Sequence, residues 1–294
     1  MHDDSFLLEL EEVNQRLMDK RLPPGLHIVA TPIGNLGDLS PRAADTLRSA
    51  DRILAEDTRV TGKLLAHIGA KVPMSRYDDH TSDADRERIV GRLSEEAIAL
   101  VSDAGTPLIS DPGYKLVRGA RAAGHAVHTL PGPSAVIAAL TLAGVPTDRF
   151  LFLGFLPAKA KARSDAISEV ATVRASLALY ESGPRLGDTL AALAEQLGAR
   201  EAAVAREISK LHEECVTGTL TELAQRYADA PPKGEIVIVV GPPPEAAEAT
   251  DEELDAALDQ ALSRQSPSRA AAEVAERLGV PRKRAYARAL ERSK

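Results

Sequence analysis

Three times in its first half, this chain runs a short apolar segment straight into a loop crowded with Gly, Pro, Ser, Thr and Asp. Leu26-His27-Ile28-Val29-Ala30 leads into Thr31-Pro32-Ile33-Gly34-Asn35-Leu36-Gly37-Asp38, and Ala97-Ile98-Ala99-Leu100-Val101 leads into Ser102 to Gly113. The third run, Ala126 to Leu130, leads into Pro131-Gly132-Pro133-Ser134. Short apolar runs bounded by turn residues and followed by helix-period segments are the mark of βα units, which build a mostly parallel sheet with helices on its faces. Ligands of such sheets bind just past the carboxyl ends of the strands. Any one of these loops is explained as an ordinary strand-to-helix connection, but three alike predict one composite ligand site.

The alternation sets the organisation. Strand-like runs fall at 26–31, 51–55, 97–102 and 126–130, and helix-like runs at 40–50, 58–69, 82–96 and 112–124. A second set of strands is read at Phe150–Phe155, Ser176–Tyr180, Ala202–Ala205 and Glu235–Val240, with helices over 184–197 and 219–229. The expectation is an N-terminal α/β domain (25–132) and a second α/β domain (133–241) joined through a helix over 133–144. A cleft between them is a favoured ligand site. Residues 1–24 read as an appendage. Residues 242–262 read as an acidic linker, because Gly241 to Leu262 holds seven acidic residues and no basic one. From Ser263 to Lys294 there are nine Lys or Arg against three Glu. Ser266 or Ser268 caps a first helix there, Gly279 ends it, and Pro281 opens a basic second helix. That is a helix-turn-helix pattern, expected to bind a polyanion.

Composition excludes several classes. Aromatics are 3% with no Trp, so no extended stacking platform for bases exists, and the net charge is −7. The single cysteine, Cys215, rules out an intrachain disulfide and a multi-thiolate metal site, and the scattered histidines show no metal-ligand spacing. No phosphate loop, dinucleotide fingerprint or HExxH motif is present. With no membrane-spanning run and an acidic start, the cytoplasm is the expected location.

Particular segments then point to a family. In order they are Ile28 to Asp38, Ala55-Glu56-Asp57-Thr58-Arg59, Tyr77-Asp78-Asp79-His80, Leu100 to Gly113 and Leu130 to Ala135. Further on come Phe152-Leu153-Gly154-Phe155-Leu156-Pro157, Tyr180-Glu181-Ser182 with Pro184-Arg185, and Arg206-Glu207-Ile208-Ser209-Lys210 with Glu213-Glu214. Together they closely resemble the small-subunit ribosomal RNA methyltransferase branch of the tetrapyrrole methylase superfamily, over about residues 26–241. The tail is similar to that branch's C-terminal helix-turn-helix domain. One departure is Gly183, inserted where the family usually runs Glu-Ser-Pro.

The resemblance implies S-adenosylmethionine-dependent 2′-O-methylation of a cytidine ribose at the decoding centre of small-subunit (16S) ribosomal RNA, by a homodimer that holds the cofactor folded in the interdomain cleft. Carried over by motif, the cofactor-binding residues are Pro32, then Ala104, Gly105, Thr106 and Ile109, then Ser134 with Ala135. Tyr180 and Glu181 join them from the second domain. The residue types suit such a ligand, since Gly105 lets backbone approach and Thr106 and Ser134 supply hydroxyls. Asp57, Glu181 and Lys210 are the candidate catalytic groups, with Asp57 or Thr58 equally readable as a helix cap. Arg59, Arg206 and, in the tail, Arg282, Lys283, Arg284 and Arg288 are the candidate RNA contacts. Two other readings compete: a tetrapyrrole or corrin precursor methylase sharing fold and cofactor, and a ligand-sensing helix-turn-helix regulator.

Overall fold

The computed structural model describes residues 22–244 and 249–293, so all but the end of the expected appendage lies outside the described residues. The chain divides after Pro243 into an α/β body and a small helical unit.

The body's first sheet holds β1 (Gly25–Val29), β2 (Arg52–Ala55), β3 (Met74–Arg76), β4 (Ala97–Val101) and β5 (Val127–Leu130). Their order is β3-β2-β4-β1-β5, and every pairing is parallel. Each residue of β1 and β4 is buried, which is why these strands read as apolar runs, broken only by His27 in β1. The strands are joined by α1 (Pro41–Ser49), α2 (Thr58–His67), α3 (Asp83–Arg92) and α4 (Tyr114–Ala122). Ser40, Asp57 and Ser82 cap the first three through side-chain bonds to backbone N–H groups. β3 escaped sequence reading because it is a three-residue edge strand with no buried residue. The chain leaves β1 for β2 on one side of the sheet and returns from β4 to β5 on the other. This reversal brings the ends of β4, β1 and β5 side by side.

The second sheet holds β6 (Phe150–Phe155), β7 (Ser176–Ser182), β8 (Glu201–Arg206), β9 (Glu214–Thr219) and β10 (Glu235–Val240), in the order β6-β7-β10-β8-β9. Only β6 and β7 run parallel; the other pairs are antiparallel. One face carries α6 (Ala160–Val170), α7 (Gly183–Leu197) and α8 (Leu220–Tyr227) over a core of Leu177, Leu179, Leu190 and Leu193. The other face carries α5 (Ala135–Leu142), the helix leaving the third loop. Its Val136, Ala139 and Leu140 settle on the small side chains of Ala178, Ala203 and Ala205. Neither α6 nor the edge strand β9, which has no buried residue, was anticipated.

The helical unit corrects the sequence reading. Residues 251–262 are not a linker but helix α9 (Asp251–Leu262), which buries Leu254, Ala257, Leu258 and Ala261 against α10 (Pro267–Leu278) and α11 (Arg282–Arg292). Gly279 ends α10 in the left-handed region (φ 65°), as its position suggested. The acidic run is needed where it is because Asp251, Asp255 and Asp259 meet Arg284, Arg288 and Arg292 as two facing i, i+4 ladders. Arg284 donates to Asp251 (2.9 Å), Arg288 forks onto both oxygens of Asp255 (2.7 and 3.0 Å), and Arg292 forks onto Asp259.

Gly183, the departure from the family pattern, opens α7 fully enclosed. A Cβ there would overlap the carbonyl oxygen of Pro232 in the neighbouring loop. Gly183→Ala is therefore expected to cost about 1–3 kcal/mol, the range for forcing extra volume into a packed site. A thermal melt would show it as a lowered Tm, and an unchanged Tm would contradict the packing described.

Candidate functional site

The three loops meet. Thr31 and Gly105 exchange two backbone hydrogen bonds (2.8 and 3.0 Å), an isolated bridge that ties the first loop to the second. The Thr31 hydroxyl donates to the Ser102 carbonyl (3.2 Å), and the Thr106 hydroxyl donates to the Pro133 carbonyl (3.1 Å), which ties the second loop to the third. The loop after β2 joins as well, because the Asp57 N–H donates to Asp103 Oδ1 (3.0 Å). Gly105 has φ 80°, a conformation that side chains rarely tolerate, and faces Ile33 and Pro133.

The second lobe closes on this cluster. The stem of Lys210 lies where a Cβ on Gly34 would sit, and Ser209 Oγ donates to Asp38 Oδ2. A cavity of about 500 Å³ opens at the junction, lined by Ile33, Gly132, Ser134, Ala138, Ile208 and Ser209, with Asp38 and Glu213 at its edge. Among the described residues no Lys or Arg lines it. Among the described residues, the four non-glycine ones with left-handed backbone, Leu108, Ser110, Glu207 and Ser209, sit in the second loop and in the second-lobe loop that reaches Gly34. Strain of this kind costs of order 1–3 kcal/mol per residue and gathers at functional sites.

Of the carried-over cofactor residues, Ser134 alone is among those that line this cavity. Pro32, Ala104, Gly105, Thr106 and Ile109 lie on the joined loops, and Ala104 and Ile109 are exposed. Ser134 stands at the N-cap of α5 yet makes no capping bond, so its hydroxyl is left for another partner. Ala135 follows it as the first residue of α5. Tyr180 lies on the β7 face turned toward α5, edge-on to Phe152 with ring centroids 5.0 Å apart. Burial first, then the nearby carboxylates of Asp111 and Glu235, push its hydroxyl up to about 12. Glu181 points elsewhere. Strand alternation turns it to the opposite face, where it is buried, accepts from the Thr189 hydroxyl (2.7 Å) and the Ser182 N–H (2.8 Å), and pairs with Arg185. Its side chain faces α7, away from the cavity.

The candidate catalytic and RNA-binding groups are similarly sorted. Asp57 caps α2 and grips the Arg59 guanidinium; that side-chain bond, with the backbone N–H bonds, holds its carboxyl far below the usual range. Burial works to lower Lys210, but its bonds to Glu235 (2.7 Å) and Glu207 (2.9 Å) outweigh it and keep the ammonium protonated. Arg206 is half-buried and spent on Glu214 (2.7 Å). In the helical unit Arg284 and Arg288 are engaged by the aspartate ladder, while Arg282 and Lys283 stay exposed. Residues 249–293 hold eight basic and eight acidic residues, so the unit as folded is not the basic body its last 32 residues suggested.

The structure adds groups that sequence reasoning passed over. Burial first, then neighbouring carboxylates, raise the carboxyls of Glu56 and Asp111; Glu56 responds to Asp111 and Asp103, and Asp111 to Asp103 and Asp79. Both lie inside motifs quoted from the sequence, but nothing in the spacing shows that the turns after β2, β3 and β4 converge. Among the described residues no group of three or more His, Cys, Asp or Glu could hold a metal ion, and no helix is long and apolar enough to cross a membrane.

Comparison with known proteins defines the class. Residues 25–224 match the family described as Tetrapyrrole (Corrin/Porphyrin) Methylases, and residues 248–293 match the RsmI C-terminal HTH domain. Among solved structures, uroporphyrin-III C-methyltransferase from Thermus thermophilus, complexed with S-adenosyl homocysteine, shares the fold (TM-score 0.52, 17% identity, 74% of this chain and 97% of that one). Diphthine synthase does too (TM-score 0.58, 15% identity, 74% and 89%). Ribosomal RNA small subunit methyltransferase I of Erythrobacter litoralis is 58% identical over 271 residues, covering 92% of this chain and 96% of that protein. Its counterpart from Xylella fastidiosa strain Temecula1 is 50% identical, covering 90% and 98%. The chain belongs to the tetrapyrrole methylase family and, within it, to the ribosomal RNA small subunit methyltransferase I family.

Glu181→Ala separates structural from ligand-binding roles. Leaving Thr189 and Arg185 without their buried acceptor is expected to cost about 1–3 kcal/mol of stability. The Kd for S-adenosylmethionine, read by calorimetry, should stay within about twofold, because this side chain faces α7. A large loss of affinity with unchanged stability would place Glu181 in the ligand site instead.

Proposed function

We propose that this methyltransferase moves a methyl group from S-adenosylmethionine to the ribose 2′-oxygen of a cytidine in small-subunit ribosomal RNA, at the decoding centre. The observation that carries the cofactor assignment is the make-up of the inter-lobe cavity. Among the described residues its lining is backbone, hydroxyl and apolar, with two carboxylates and no cation. Such a lining fits a ligand bearing an ammonium and a sulfonium, and gives no counter-charge to a nucleotide phosphate. The RNA assignment is supported by the relatives' names and by the match of residues 248–293 to the RsmI C-terminal domain. The tetrapyrrole methylase alternative shares the fold and cofactor but leaves that helical unit without a use.

In this reading Ser134 supplies a hydroxyl and Ile33 and Ile208 the apolar sides, while Pro32, Ala104, Gly105, Thr106 and Ile109 lie on the loops that Thr106 ties to Pro133 of the lining. When bound, S-adenosylmethionine supplies an electrophilic methyl carbon with a good leaving group. The protein's remaining work is to align the 2′-oxygen and exclude water, which is worth up to roughly 7–11 kcal/mol. Of the acidic groups at this edge, Asp111 is the one suited to take the 2′-hydroxyl proton. It is half-buried, its carboxyl is raised mainly by burial, and it lies near Tyr180 of the facing lobe. Arg59 and, in the helical unit, Arg282 and Lys283 are exposed cations for RNA phosphate. The reading includes a homodimer in the cytoplasm, with Leu211 (93% exposed) and Ile137 (50% exposed) among the apolar side chains a second copy would cover.

Incubation with labelled cofactor and small ribosomal subunits or their RNA tests this directly: label is expected on a cytidine 2′-oxygen, and label on a tetrapyrrole but not on RNA would reverse the assignment. Asp111→Asn should lower kcat by about 10²–10⁴ with little change in cofactor Kd. An accepting carboxylate must be deprotonated, so the wild-type rate should fall as pH drops through its raised pKa. The Asn variant should lack that limb. A variant with full kcat and the same pH profile removes Asp111 from the reaction.

A further inference from the structure

A second cavity, of about 390 Å³, lies outside the inter-lobe site, between strands β2 and β3 and helix α3. Arg52, Arg76, Arg88 and Arg92 line it, with His80 and Ser75. Three carboxylates answer these four guanidiniums. Asp78 sits 2.8 Å from Arg76, Asp85 sits 3.0 Å from Arg88, and Glu96 is shared by Arg52 (3.6 Å) and Arg92 (3.5 Å). Among the described residues cation is therefore in excess, and the pairs are weak. The side chains of Arg76 and Arg88 are 74% and 68% exposed, and exposed pairs of this kind hold little energy against a competing anion. Arg52 Nε and Glu96 Oε2 are buried and face each other at 3.6 Å, an ion pair too long for a hydrogen bond.

The cavity's position gives it a use. The turn Tyr77-Asp78-Asp79-His80 follows β3 and serves two places at once. Asp78 and His80 line the arginine cavity, whereas Asp79 is close enough to the carboxyls of Glu56 and Asp111 to act on them. The arginine cavity and the proposed transfer site thus share the edge of one sheet, with the exposed Arg59 on the adjacent loop after β2. Planar guanidiniums on a groove wall match the paired oxygens of a phosphodiester. Nothing in the inter-lobe cavity performs that task.

We propose that the groove between β3 and α3, through Arg52, Arg76, Arg88 and Arg92, holds backbone phosphate of the RNA substrate next to the nucleotide being methylated. This rests on the RNA-methylating activity proposed above. In that role the aspartates at Arg76 and Arg88 act as place-holders that RNA phosphate displaces.

The test uses the full chain with Arg76→Ala/Arg88→Ala, and with Arg88→Lys, which keeps the charge but loses the fork. Transfer to small-subunit RNA is measured over a salt series, alongside calorimetry with S-adenosylmethionine. The double variant should keep its cofactor Kd, raise the KM for RNA about tenfold or more, and lower the slope of log affinity against log salt by about one per lost phosphate contact. Arg88→Lys should fall between it and the wild type. Unchanged KM and salt slope in a double variant that still binds cofactor would overturn the groove assignment while the activity stands. Absence of transfer to RNA by the wild type would overturn the activity, and the groove assignment with it.

Discussion

Two backbone hydrogen bonds between Thr31 and Gly105 hold the molecule's working edge together. They join loops that are 74 residues apart in sequence, and they form only because β1 and β4 are neighbours whose registered pairing ends just before both loops. A parallel pair cannot be linked by a tight turn, so these loops are brought together by the sheet and not by local chain geometry. Once they are fixed, Thr106 reaches Pro133, Asp103 reaches the backbone of Asp57, and four loops become one surface. Gly105 makes the bridge tolerable by occupying a left-handed conformation without a side chain.

The second lobe depends on that surface and completes it. Helix α5 begins at the third loop and ends packed on the second sheet, so a shift of the loop would carry the helix with it. Ser209, Lys210 and Gly34 then close the far side. The resulting enclosure is apolar and carboxylate-edged where a cationic methyl donor is proposed to sit. The cations that suit RNA lie outside it: Arg59, the arginine groove at β3, and Arg282 with Lys283 in the helical unit. This separation of charge suits the proposed pair of ligands, a cationic cofactor and a polyanionic substrate.

Much of this was legible in the residues. The runs 26–30 and 97–101 named the central strands because burial on both faces leaves them apolar but for His27, which bonds the Pro23 carbonyl. The turn chemistry of Thr31–Asp38, Ser102–Gly113 and Pro131–Ser134 named the loops because few residue types tolerate such backbones. What stayed hidden was long-range. Asp255 and Arg288 are 33 residues apart, so the acidic run read as a linker and the arginines as free when each is the other's partner. Glu181 read as a ligand contact beside Tyr180, although alternation along β7 turns adjacent residues to opposite faces. Asp111 was one carboxylate among several until the fold showed it half-buried against the facing lobe.

Calorimetric titration of the full chain with S-adenosylmethionine tests the account where it is most exposed, taking the wild type beside Gly105→Val. If the joined loops are the cofactor site, the wild type binds one ligand per chain. The variant, still folded by circular dichroism, then loses affinity by at least about tenfold, or 1.4 kcal/mol. Equal heats from both proteins, or none from the wild type, would contradict it.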